Sequence, residues 1–163
     1  MTELNHVGIT VGDIAAAIDF YVGALDLELV DGPLHCDTGT SGAQRRADVF
    51  GARWAGMELA HLVATNGAGV ELFQFIEPAV VAPAHEFEYW RMGPHHVAFT
   101  VPDVRSAVDR IVAAGGRQRT DVHDVHNGAL ICYCQDPWGN VVEVVSTSYR
   151  TLSAATAVPP EPT

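Results

Sequence analysis

The chain is 163 residues long, 48% apolar and 18% charged, a globular composition that excludes wholesale disorder and fibrous repeats. Acidic residues outnumber basic ones 20 to 9, for a formal net charge of −11, the wrong sign for a binder of nucleic acid or of an anionic membrane. All nine basic residues are arginine, so a Schiff-base lysine, a pyridoxal phosphate anchor and a P-loop lysine are excluded. No stretch approaches the ~18–20 continuous apolar residues of a membrane helix. The start, Met1-Thr2-Glu3-Leu4, has neither a basic region nor an apolar signal core. Three cysteines, Cys36, Cys132 and Cys134, are an odd number, and the expected setting is a reducing cytoplasm.

In chain order, an alternating segment at 6–11 predicts a strand. Asp13 is placed to cap a helix along which Ile14, Ile18, Val22 and Leu25 recur every three to four residues. A short strand is predicted near 28–30. The stretch 31–56, rich in Gly, Asp, Thr and Arg, is predicted as a surface loop able to serve as a lid. Runs at 57–64 and 70–76 flank Asn66-Gly67, a favoured turn pair, and predict a hairpin. The segment 77–92, with Pro78, Pro83, Phe87, Tyr89 and Trp90, is a linker.

From 93 the pattern begins again. Slid by 90 positions, His6-Val7-Gly8-Ile9-Thr10-Val11-Gly12-Asp13-Ile14 lies on His96-Val97-Ala98-Phe99-Thr100-Val101-Pro102-Asp103-Val104, and residues 6–24 share nine identities in nineteen with 96–114. Val104, Val108, Ile111 and Val112 repeat the helical stripe, and Gly115-Gly116 ends it. A strand is predicted within 119–125, and runs at 129–135 and 140–147 flank Asp136-Pro137-Trp138-Gly139 as a second hairpin. The fold class is therefore α+β, with two tandem βαβββ modules at 1–76 and 93–149. The Ala- and Pro-rich end, 150–163, is expected to be a disordered tail.

Alternation sorts the strand side chains into faces. Val7, Ile9 and Val11 suit the helix side, leaving His6, Gly8 and Thr10 opposite; Val97, Phe99 and Val101 likewise oppose His96, Ala98 and Thr100. In the closing strands Glu71, Phe73 and Phe75 oppose Val70 and Leu72, and Glu143 opposes Val142 and Val144. Each module thus carries a His on its first strand and a Glu on its last, both able to face the side without a helix. A carboxylate in Val141-Val142-Glu143-Val144-Val145 costs several kcal/mol if buried unpaired, so it calls for a cation, a polar network or solvent. Two His and two Glu in one cleft would hold one divalent metal, with Zn, Ni, Co, Fe(II) and Mn all compatible. His6, Glu71, His96 and Glu143 are the expected metal set.

With these residues the chain resembles the vicinal oxygen chelate superfamily, which includes glyoxalase I, epimerases, extradiol dioxygenases, fosfomycin thiol transferases and bleomycin-resistance proteins. The resemblance lies in Asn5-His6-Val7-Gly8-Ile9-Thr10-Val11 with Asp13, Gly69-Val70-Glu71-Leu72, His95-His96-Val97-Ala98-Phe99-Thr100-Val101 with Asp103, and Asp136-Pro137-Trp138-Gly139-Asn140-Val141-Val142-Glu143. It implies paired modules in an open, cup-shaped mixed sheet with helices on the convex side, around one metal. It further implies a lyase or isomerase of the glyoxalase or epimerase type, moving a proton next to a carbonyl of a small substrate through a metal-stabilised enediolate. Glu143 would be ligand and base, with Glu71 the alternative base. A homodimer is expected because open sheets leave edges to cover.

Two other family activities bear comparison. An Fe(II) extradiol dioxygenase acting on a catechol resembles the run Tyr133, Asp136-Pro137 and Glu143, with His126 upstream, but Cys132, Asp124 and Glu71 depart from that pattern. A non-catalytic, drug-sequestering protein would lack the full metal set. Glu58 is the nearest substitute for the extra glutamate of the epimerases. Elsewhere, His95 is expected to point away from His96 as a structural residue. His61, His85, His123 and His126 are expected at rim or surface positions, and Cys132 and Cys134 as packing residues. Arg45-Arg46 is read as a solvated pair, and Phe73, Phe75, Trp54 and Trp90 as pocket, core or dimer contacts.

Overall fold

The computed structural model describes residues 2–83, 86–126 and 128–155, and the chain divides into two compact units, Met1–Phe87 and Glu88–Thr163. In the first, β1 (His6–Thr10), α1 (Ile14–Leu25), β2 (Glu28–Asp37), α2 (Ala43–Phe50), β3 (Gly56–Val63) and β4 (Gly69–Glu77) follow one another. Asp13 caps α1 by accepting the Ala16 N–H at 3.0 Å, and Asp26 ends it in a left-handed conformation. The sheet order is β1-β4-β3-β2. β1 runs parallel to β4, as a strand reached through a helical crossover can, and the other pairs are antiparallel.

One face of this sheet carries α1, whose Ile14, Ala17, Phe20, Tyr21 and Leu25 are buried, as are Ile9, Val11, Val70 and Leu72 beneath it. The expected 31–56 loop is largely structured. β2 continues to Asp37, and a bend leads into α2, which returns over the opposite face. There Cys36, Trp54, Met57 and Leu59 form a second core with Ala43, Ala47, Phe50, Phe73 and Phe75 packed on it. Phe50 explains the departure. Its ring meets Trp54, Phe73 and Phe75 at centroid distances of 6.4, 5.7 and 5.2 Å, apolar burial that a Gly- and Arg-rich composition does not announce.

The second unit contains β5 (Val97–Thr100), α3 (Val104–Ala113), β6 (Arg117–Gln118), β7 (His123–His126), β8 (Ala129–Gln135), β9 (Val141–Val145) and α4 (Tyr149–Ala155). Asp103 caps α3 as Asp13 caps α1, accepting the Ser106 N–H at 3.1 Å. The helix closes through Gly116 N–H to Ile111 O, with Gly115 at φ +89°. The order is β5-β9-β8-β6, with β7 also on β8, and β5 is parallel to β9. The strand expected within 119–125 is found as β7, four residues at its far end, with the two-residue β6 standing before that range. Val101, Val104, Ala107, Val108, Ile111, Val142 and Val144 form the core. Residues 150–155, expected within a disordered tail, belong to α4; the rest of that tail lies outside the described residues. No described helix is long and apolar enough to cross a membrane.

Both closing hairpins use the same three-residue loop. Gly67 N–H bonds to Ala64 O and Ala64 N–H to Ala68 O; Gly139 N–H bonds to Asp136 O and Asp136 N–H to Asn140 O. The glycines supply φ of +85° and +93°. Asn66-Gly67 read as a two-residue turn would shift the pairing by one residue. The actual loop sets His61 opposite Glu71 and Tyr133 opposite Glu143.

Candidate functional site

Each unit presents one row of paired residues across its sheet. In the first, Gly8 pairs with Glu71, Glu71 with His61, and His61 with Asp31. In the second, Ala98 pairs with Glu143 and Glu143 with Tyr133. Beyond Tyr133, the Arg119 N–H bonds to its carbonyl at 2.8 Å. Side chains of paired residues share a face. A carboxylate therefore lies at the same place in each row, with a His two residues before the row's small residue, at the start of β1 in the first unit and just ahead of β5 in the second.

The expected pairs are in contact within each unit. His6 Nε2 lies 3.4 Å from Glu71 Oε2, and His96 Nε2 lies 3.2 Å from Glu143 Oε2. His6 Nδ1 is engaged from behind by Asn5 Oδ1 at 2.7 Å, and His96 Nδ1 by His95 Nδ1 at 2.8 Å. With the proton on Nδ1, each Nε2 lone pair would face a carboxylate oxygen, an arrangement that suits a bound cation, whereas a protonated ring would donate to the carboxylate directly. Two donors bound to one ion at ~2.0–2.2 Å stand roughly 2.8–3.6 Å apart, the range these pairs occupy. Within either unit, no three described His, Cys, Asp or Glu side chains are gathered into a metal-holding group.

The two carboxylates differ in surroundings. Glu143 is 7% exposed in a strand buried throughout, whereas the Glu71 side chain is 28% exposed. The Tyr133 hydroxyl bonds to Glu143, and its pKa is pushed up to about 12, first by burial and then by the Glu143 charge and that bond. The phenol therefore stays protonated and donates to the carboxylate at any ordinary pH. On Glu71 the second oxygen, Oε1, is 3.3 Å from His61 Nδ1. His61, its side chain 37% exposed, is the register counterpart of Tyr133. Counting back from the glycine of each loop finds both, provided the three-residue loop is used.

His95 also departs from expectation. Its ring lies 4.7 Å from that of His96 and 5.5 Å from Tyr89. β5 begins only at Val97, so strand alternation does not apply to these neighbours. Beside Glu71 the face is apolar. Phe73 and Phe75 stack at 6.1 Å, and Gly8 leaves room for the Phe73 ring, whose Cε2 would stand 3.1 Å from a Cβ there. Trp90 is 81% exposed.

The remaining expectations divide. Glu58 bonds to His35 at 2.8 Å, away from the row. Arg46 Nη1 donates to Ser41 O at 2.7 Å and ties the turn before α2, while Arg45 is exposed. Cys132 and Cys134 are fully buried with their Sγ atoms 3.9 Å apart, and burial pushes the Cys134 thiol up to about 12. His123 is exposed. His85 and the His126 side chain lie outside the described residues.

Residues 3–144 match the model of the family described as the Glyoxalase/Bleomycin resistance protein/Dioxygenase superfamily. A 2-epi-5-epi-valiolone epimerase from Actinomyces sp. is 26% identical over 148 residues, 88% of this chain and 78% of that protein. Among solved structures, a glyoxalase family protein from Bacillus cereus superposes with a TM-score of 0.73 at 24% identity, covering 89% of this chain and 93% of that one. The fosfomycin resistance protein FosX from Listeria monocytogenes gives 0.59 at 15% identity, covering 91% and 93%.

Proposed function

The chain belongs to the glyoxalase/bleomycin resistance protein/dioxygenase superfamily, and on that footing we propose that it is a metal-dependent lyase or isomerase that moves a proton next to the carbonyl of a small substrate. The observation that carries this reading is the carboxylate–imidazole pair repeated in both units, with Glu143 buried almost completely beside His96. Similarity to an epimerase supports the isomerase branch.

The residues that would hold divalent metal are His6 with Glu71 and His96 with Glu143, whose Nε2 and carboxylate oxygens have, within each unit, the donor character and spacing that a metal-bound pair requires. Bound there, the ion would supply Lewis acidity toward the carbonyl oxygen of the substrate. The chain's own part is proton transfer. A carboxylate takes the proton from the carbon next to the carbonyl, the C–H electron pair moves toward the carbonyl oxygen, and the proton returns to a carbon of the product. Glu143 is the first candidate for this base, since Tyr133 bonds to its carboxylate and orients it; Glu71, held by His61, is the alternative.

The Tyr133–Glu143 contact also supports a second reading, an Fe(II) dioxygenase on a catechol. Oxygen uptake with catechols would favour it.

The test combines metal analysis with hydrogen exchange. Wild type is expected to retain a divalent ion and to exchange the proton next to the carbonyl of a hydroxyaldehyde into D2O. His96→Ala should lose the ion, and Glu143→Gln should slow exchange about 10²–10⁴-fold. A folded wild type that neither binds nor rebinds metal would overturn the reading.

A further inference from the structure

The second unit's row ends on a cation that the proton-transfer reading leaves unused. Arg119 stands beside Tyr133 on the face of Glu143, two strand spacings of ~4.8 Å from it. Its guanidinium lies over the Tyr89 ring, 5.6 Å from the centroid, and Tyr89 in turn meets Tyr133 edge-on at 6.1 Å. Arg119 Nη1 is buried without a hydrogen-bond partner, and no carboxylate among the described residues pairs with it. Two exposed arginines of the same unit are satisfied by contrast. Arg117 bonds through two nitrogens to Gln135 Oε1, and Arg91 pairs with Glu88.

A buried guanidinium N–H left unpaired is unfavourable, and an arriving anion relieves it. The planar fork matches a carboxylate, and the Tyr89 ring against it keeps water from one side of that contact. A chain at −11 repels anions overall, so a fixed cation such as this one is what an anionic substrate would require. We propose that Arg119 is a substrate-anchoring residue, and that the substrate is a carbonyl compound carrying a carboxylate within a few bonds of the reacting carbon. This deepens the proposed function by naming the substrate class of the same site.

The test compares pyruvate with butane-2,3-dione, in which an acetyl group replaces the carboxylate. Both are titrated into the full-length, chelator-treated chain, so that recognition is read without metal, and binding is followed by calorimetry and by the Arg119 Nε–Hε NMR signal. Wild type should bind pyruvate saturably and more tightly than the dione, with the Arg119 signal shifting. Arg119→Met should weaken pyruvate about tenfold or more, Arg119→Lys should weaken it less, and neither should change the dione. Equal affinity of wild type for both probes, or parallel losses in Arg119→Met, would overturn the proposal and leave Arg119 as a prop for Tyr89. If Arg119→Met does not fold, the wild-type preference and the Nε–Hε shift decide. Failure of the proton-exchange assay with pyruvate recognition intact would count against the proposed reaction and not against this anchor.

Discussion

Glu71 and Glu143 occupy the same register position, yet their neighbours give them different partners. Tyr133 offers Glu143 a neutral donor, while His61 offers Glu71 a second imidazole. The two His–Glu contacts, His6 with Glu71 and His96 with Glu143, were legible because duplication repeats them at fixed places in the pattern. His61 was not, because its significance depends on one residue of loop length. A separate cluster permits a prediction at this scale. The hydrogen bond that His35 donates to Glu58, with the charges of Glu58 and Asp37, raises the pKa of exposed His35 above 6.5 against a smaller opposing effect of burial. Folding therefore favours its protonated form. The stabilisation is full below the unfolded-state value and is lost as the pH rises through the higher folded-state value. Urea midpoints should show His35→Gln further below wild type at about pH 5 than at about pH 9. An equal difference at both would refute the assignment.

Among elements, the hairpin loops and α2 illustrate opposite degrees of legibility. The hairpins were visible as apolar runs around turn residues, but their register is set by Gly67 and Gly139 at positive φ. An added Cβ at Gly67 meets nothing within 4 Å, so the conformation alone resists substitution. Gly67→Ala should cost about 1–2 kcal/mol, measured by denaturant unfolding, with the fold otherwise unchanged. A neutral result would mean that the loop does not hold this geometry in solution. α2 could not be read from its own residues, because its N-cap position is Gly42 without a side-chain cap bond. It is held by Phe50 against Trp54, Phe73 and Phe75. Trp54 follows α2 closely, but Phe73 and Phe75 come from β4, more than twenty residues on, so only folding shows that the segment is a helix.

For the whole molecule, the relation between two similar units is the dominant fact. Each repeats the capped helix, the parallel first and last strands and the carboxylate–imidazole pair. If both pairs serve metal, removing the ion should lower thermal stability by linkage. At a hundredfold excess of ion over Kd the stabilisation is about 2.7 kcal/mol. That corresponds to about 5–11 °C for a chain of this size. Wild type should lose this increment on chelation and regain it with added Zn or Co. His6→Ala and His96→Ala should melt at the same temperature with and without metal. A chelator-insensitive wild type would argue against the ligand assignment.

Composition alone excluded lysine chemistry and made nucleic acid an improbable partner, since residue type and net charge do not depend on folding. Periodicity and internal repetition then specified the two modules, the capped helices and the faces carrying His6, Glu71, His96 and Glu143, because period and capping are local properties of the chain. What touches those side chains was decided by tertiary structure. His61 on Glu71, Tyr133 on Glu143, His95 against His96 and Arg119 over the Tyr89 ring each depend on strand register or on a segment folding back. A one-residue change of register sends a side chain to the other face, so these contacts become definite only when the loops and the sheet form together.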